Sequence, residues 1–142
     1  MLLNYIRKNL MELNQKHTGE NILVKWNYSG GELEVFARWK LLRKSLFHFL
    51  FLWVRRRENN FSAVLITSAR VFFDDKEEYF HSIDRRLRRI VIKDVGKLNV
   101  LEITYELQIL NRSTSKEIFI PIPKGKLKEA IEVEEKLMEN DR

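Results

Sequence analysis

The chain has 142 residues, of which 44% are hydrophobic and 32% charged, and its net charge is +6 from 26 basic and 20 acidic residues. That length suits one domain with its own core, spanning 1–142, and the composition excludes wholesale disorder. The lack of any cysteine excludes disulfides, thiolate metal sites and cysteine nucleophiles, and fits a reducing compartment.

Residues 2–16 carry Leu2, Leu3, Ile6, Leu10 and Leu13 at spacings of three and four, the stripe of an amphipathic helix, with Gly19 as its stop. Asn4, Arg7, Lys8 and Asn9 interrupt this segment too early for a secretion signal, so a cytoplasmic protein is expected. Period two then takes over. Ile22, Val24, Trp26 and Tyr28 alternate with Leu23, Lys25 and Asn27, and Ser29-Gly30-Gly31 reads as a turn. Leu33, Val35, Ala37 and Trp39 then alternate with Glu32, Glu34, Arg38 and Lys40, which predicts a hairpin of 22–28 with 32–40.

Residues 41–57, LLRKSLFHFLFLWVRRR, read as a buried helix or as a strand. Their aromatic and branched content favours a strand at about 45–56, paired with 61–67 across Glu58-Asn59-Asn60. The apolar part, Leu46–Val54, falls well short of the roughly 20 residues of a spanning helix. A short strand at Val71–Phe73 precedes a polar turn at Asp74–Glu78, and pairing resumes at Tyr79-Phe80. A strand covers Leu87–Ile92, a turn Asp94–Gly96 and a long strand Leu98–Leu110. Asn111–Lys116 reads as a turn and Glu117–Ile122 as a strand, with Pro121 and Pro123 marking a sheet edge or strand end. From Lys124 the helical period returns over 124–139, with Leu127, Ala130, Ile131, Val133, Leu137 and Met138 on one broad side. Lys128–Glu132 and Glu132–Lys136 are spaced as i,i+4 pairs.

Strands in succession, without strand–helix alternation, exclude a parallel doubly wound sheet. The expected class is α+β: an antiparallel β-roll or barrel with strands within 22–122, an N-terminal helix and a C-terminal capping helix. Val64-Leu65-Ile66-Thr67-Ser68-Ala69-Arg70-Val71-Phe72-Phe73 resembles the strand–turn–strand of bacterial pleckstrin-homology-like (PH-like) barrels, written hydrophobic-Leu-Thr-x-x-Arg-hydrophobic. Leu87–Ile92, Leu98–Leu110 and Glu117–Ile122 resemble the strands that follow, and 124–139 resembles the helix that plugs one barrel end. The resemblance covers residues 61–139. It implies a mostly non-catalytic module that binds phosphoinositides, peptides or partner proteins. The loop that is basic in phosphoinositide-binding members corresponds here to Ser29-Gly30-Gly31-Glu32, which is not basic.

Three basic groups are candidates for binding. Arg38, Lys40, Arg43, Lys44, Arg55, Arg56 and Arg57 flank the apolar run, either as gatekeepers against aggregation or as an anion-facing rim. A buried ten-residue strand between them would span about 33 Å and hold them at opposite ends. Arg85, Arg86, Arg88 and Arg89, with Lys93, offer planar forks suited to phosphate or carboxylate, or else pair with the acidic turn at Asp74, Asp75, Glu77 and Glu78. Lys124, Lys126 and Lys128 precede Glu132, Glu134, Glu135 and Glu139, the reverse of what a helix dipole prefers, and would attract an anion to the helix start or form a plain surface.

Tryptophans beside basic residues, as at Arg38-Trp39-Lys40 and Trp53-Val54-Arg55, read as core or as stacking platforms. His17, His48 and His81 lack metal-ligand spacing, although His81 stands near Asp74 and Asp75 in sequence, and no nucleophile elbow or phosphate-binding glycine loop occurs. The expectation is a non-enzymatic module without metal or cofactor that engages a protein or peptide partner. The alternative is an anionic ligand, a phospholipid headgroup or nucleic acid, bound through Arg85, Arg86, Arg88, Arg89, Lys93, Lys124, Lys126 and Lys128. A homodimer through an open strand edge fits either reading, and an enzyme stands third.

Overall fold

The computed structural model describes residues 20–43 and 61–140. The helix expected at 2–16 and the strand at about 45–56 lie outside the described residues, as do His17, Lys44, His48, Trp53, Arg55, Arg56 and Arg57. In chain order the elements are β1 (Ile22–Asn27), α1 (Gly30–Arg43), β2 (Ala63–Thr67), β3 (Arg70–Phe73), β4 (Lys76–Tyr79), β5 (Arg85–Asp94), β6 (Asn99–Ile109), β7 (Arg112–Ile122) and α2 (Leu127–Asn140). The strands form two antiparallel sheets, ordered β1-β2-β3-β4 and β5-β6-β7. The α+β class is therefore correct, but the sheets do not close into a barrel. Among the described residues no ladder joins them, and the loop after Tyr79 separates β4 from β5.

Residues 32–40 are helical, not the second arm of a hairpin. A start signal at Ser29 overrides their alternation. Ser29 Oγ accepts the Glu32 N–H at 3.2 Å, and Glu32 Oε1 accepts the Ser29 N–H at 3.0 Å. This reciprocal capping box satisfies two N–H groups at the helix entrance. On the helix, Leu33, Phe36 and Trp39 recur every three residues and turn toward the core, where Phe36 is buried between Phe61 and Trp39. With 32–40 withdrawn, β1 pairs with β2, placing Trp26 opposite Val64.

Every residue of β2 is buried: Val64 and Ile66 pack into the main core, and Leu65 packs with Phe72 and Ile22 in a second cluster. The polar turn after β3 is shorter than expected. Asp74 and Asp75 make it alone, and Lys76–Tyr79 pair with β3. Asp74 takes a left-handed φ of 56°, which aspartate tolerates, and its buried carboxylate accepts the N–H groups of Ser62 at 2.8 Å and Ala63 at 2.9 Å. Similarly, the turn expected at 111–116 shrinks to Leu110-Asn111, because the β6–β7 ladder continues out to Ile109 and Arg112. Residues 112–117 are exposed throughout, so no apolar alternation announced that half of β7. Pro121 lies in β7, an edge strand of its sheet, where a missing N–H is tolerated.

One core joins Val64, Ile66 and Val71 of the first sheet to Ile103, Ile118 and Ile120 of the second. The helix α2 packs on β5 and β1 and adds Ala130, Val133 and Leu137 to that core. Its apolar face is narrower than expected, since Leu127, Ile131 and Met138 are 42%, 44% and 40% exposed. The ion pair near its start is Lys126–Glu129 at 3.1 Å, and neither expected i,i+4 pair forms among the described residues. The helix α1 packs on β7, where Trp39 meets Phe119 edge-on at 5.2 Å and Arg43 stands 3.7 Å from Glu117 and over the Phe119 ring. Trp39 is thus a packing residue, and Arg43, from the first basic group, is spent on that contact.

Candidate anion-binding surface

Strand β5 has β6 on one side and, among the described residues, no strand on the other, where only Arg85 at its start is bridged, to Ser82. Leu87 and Ile90 point into the core. They are three residues apart, which a regular strand would place on opposite faces. A bulge between Leu87 and Arg89 absorbs Arg88 and resolves the conflict. As a result Arg86 and Arg89 both face outward, opposite Glu106 and Thr104 of β6.

The five basic residues of β5 differ in what they do. Arg85 folds back: its Nη1 donates to the Tyr79 carbonyl at 2.8 Å and its guanidinium stands 5.5 Å from the centre of the Tyr105 ring, fastening β4 to the second sheet. Arg88 pairs with Glu106, and this hydrogen bond, with the charge of Arg86 nearby, holds the Glu106 carboxyl below its ordinary pKa. Lys93 Nζ lies 2.5 Å from the buried Glu102 carboxylate, an ion pair by distance although not aligned as a hydrogen bond. Arg89 is exposed and has no ion pair or hydrogen bond among the described residues.

The expected pairing of these arginines with the acidic turn is not what forms. Glu77 accepts from Arg70, Glu78 from the Tyr105 hydroxyl, and Asp74 from Ser62 and Ala63. The carboxylates that meet the basic residues of β5 are instead Glu102 and Glu106 on β6.

Lys124 stands by Asp94 at the other end of β5, and Lys126 and Lys128 follow it at the start of α2. A cleft of about 600 Å³ lies there, lined by Ser29 and Glu32 of the α1 entrance, Lys97 of the β5–β6 turn, Asn99 at the start of β6, and Lys124 and Leu127. Glu32 Oε2 accepts the Lys124 N–H at 2.7 Å. Glu32 thus engages the backbone before α2, while the Lys126 side chain pairs with Glu129 at 3.1 Å. Partial burial opposes ionisation of Glu32, but the N–H groups of Ser29 and Lys124 outweigh it and hold its carboxyl below the usual value. From Arg85 to Lys93 the strand runs about 26 Å at 3.3 Å per residue. The eight candidate residues thus divide into an arginine end and a lysine end.

The arginine end carries a feature that sequence reasoning missed. Beyond β5 the loop after Tyr79 runs beside the end of β6 that leads into the β6–β7 turn, tied to it by the Gln108 N–H donated to the Asp84 carbonyl at 2.8 Å. Ile83 is 108% exposed, Leu110 96% and Ile109 53%. The signal was an isoleucine between Ser82 and Asp84 and a leucine in a tight turn. His81 lines a hollow of about 440 Å³ at this end with Asp84, Arg85 and Arg86. Among the described residues no three histidine or carboxylate side chains group as metal ligands, and no helix is long and apolar enough to cross a membrane.

No protein-family model, curated protein or solved structure matches the chain.

Proposed function

We propose that this chain is a non-catalytic binding module that takes an anionic partner on the outer face of β5, with Arg86 and Arg89 as its contacts. The observation that carries this is the bulge at Leu87/Arg89, which turns two arginines of an Arg-Arg-Leu-Arg-Arg run to the same exposed face and leaves Arg89 without a counter-charge among the described residues. A planar guanidinium on a fixed strand is suited to bidentate contact with phosphate or carboxylate. Strands from Ala63 to Ile122 closed by α2 support reading residues 61–139 as PH-like.

The free edge of β5 favours a second reading in the same place, a protein or peptide partner, or a second copy, added as a further strand. Retention on immobilised heparin across a salt gradient tests the first reading. The wild type should elute late, and Arg86→Ala/Arg89→Ala early. Equal elution of the two would remove the anionic reading and leave strand addition.

A further inference from the structure

We propose that the end of the molecule built from Ile83 and the β6–β7 turn inserts into the interfacial zone of an anionic lipid bilayer, with Ile83 and Leu110 as the inserting side chains. This rests on the anionic-partner reading and names the partner. Single exposed aliphatic residues are ordinary on protein surfaces. Here two almost fully exposed ones project from neighbouring segments held together by the Gln108–Asp84 hydrogen bond.

Leu110 is also in the wrong conformation for a leucine. Its φ is +56°, the left-handed region where glycine or asparagine is favoured. A two-residue hairpin turn demands such a φ. Asparagine is available one position later, yet an apolar side chain occupies the tip and is thrown outward by the turn.

Size and charge select the occupant. Ile83, Ile109 and Leu110 form too small a patch for a stable protein interface, which uses about 800 Å² per partner. A bilayer interface takes up aliphatic side chains individually, and basic residues near its anionic surface add to the attraction. The tip has such residues behind it: Arg86 and Arg89 on β5, Arg112 opposite Ile109, and Lys116 opposite Tyr105. Of the acids at this end, Glu106 is ion-paired with Arg88, while Asp84, which accepts the Ser82 hydroxyl at 2.7 Å, keeps its charge and is outnumbered by these basic residues.

The test uses the full chain and vesicles of phosphatidylcholine with and without phosphatidylserine. Wild type should sediment with the serine-containing vesicles only. Ile83→Ser/Leu110→Asn, which keeps a turn-compatible residue at 110, should bind them about 100-fold more weakly, the loss of two buried aliphatic groups. Its circular dichroism and heparin retention should match wild type. The chain has no cysteine, so Leu110→Cys carries a single environment-sensitive fluorophore, whose emission should shift to the blue on anionic vesicles. Undiminished vesicle binding by the double variant, or an unshifted label, overturns insertion while the anionic reading stands. Heparin retention without vesicle binding overturns the bilayer and points to nucleic acid or an acidic protein. Failure to bind either polyanion removes both proposals.

Discussion

Glu32 Oε2 accepts the backbone N–H of Lys124 at 2.7 Å, while Oε1 of the same carboxylate accepts that of Ser29 at 3.0 Å. One side chain thus caps α1 and holds the turn before α2, joining positions 92 residues apart. These bonds hold the Glu32 carboxyl below its usual pKa of 4.5, against the opposing effect of partial burial. A carboxyl lowered in the fold contributes stability that is fully present above its unfolded pKa and lost as pH falls through the folded one. Thermal melts of wild type should therefore lose Tm below about pH 4.5, and Glu32→Gln should start lower at neutral pH and lose less on acidification. Glu32→Ala should cost about 1 kcal/mol at neutral pH, as other cap deletions do.

Asp74 holds the β2 entrance in the same manner from a left-handed turn. Its carboxylate accepts two N–H groups, at Ser62 and Ala63, and the residue is 5% exposed. Asp74→Ala strands those donors and should destabilise the chain by about 3 kcal/mol in urea titration. Asp74→Asn keeps one acceptor and a side chain that tolerates φ of 56°, so it should lose less. Asp74→Gly relieves the backbone but not the donors, and should resemble the alanine variant.

The parts of this fold legible in the sequence are those whose apolar residues decide their structure. Strand β2 is continuously apolar and fully buried, β6 carries Leu101, Ile103 and Tyr105 on one face, and α2 buries Ala130, Val133 and Leu137. Where backbone pairing or capping decides, the pattern misleads. The Leu33–Trp39 alternation imitates a strand, while the Ser29–Glu32 box that makes it a helix is written only in polar residues. Strand β4 is Lys-Glu-Glu-Tyr and the outer half of β7 is wholly exposed, so neither shows a buried face. At the candidate site the arginines could be named, but not the direction each faces. A single inserted residue at the bulge decides that, and neither the bulge nor the distance to the lysines is visible without the ladder.

Tyr105 ties the two sheets at the arginine end. Its hydroxyl donates to Glu78 at 2.8 Å, and burial first, then this carboxylate, pushes its pKa from 10.0 up to about 12. A group raised in the fold contributes stability that is fully present below its unfolded pKa and lost as pH rises through the folded value. The contribution should fade between about pH 10 and 12. In ultraviolet titration the Tyr105 tyrosinate should appear late, and Glu78→Gln should bring it earlier by removing a nearby negative charge.

Arg88 and Arg89 are adjacent yet should behave differently when replaced. Arg88 is committed to Glu106, whereas Arg89 has no ion pair or hydrogen bond among the described residues. Arg89→Ala should leave urea stability within about 0.5 kcal/mol, as surface changes usually do. With a single-stranded oligonucleotide as polyanion probe, it should also reduce the slope of log K against log salt by about 0.7, one phosphate contact. Arg88→Ala releases the Glu106 carboxylate beside Arg86, so the new local pairing should weaken polyanion binding through Arg86 while stability changes by less than about 1 kcal/mol. Lys124→Ala/Lys128→Ala removes two charges outside β5, Lys124 lying by Asp94 at the far end of the strand, whose run of about 26 Å from Arg85 to Lys93 exceeds a Debye length of about 8 Å at physiological salt. That variant should bind the probe as wild type does at physiological salt. An equal loss from the lysine and the arginine variants would instead require a ligand long enough to span both ends of the strand, and would redraw the site as one extended track.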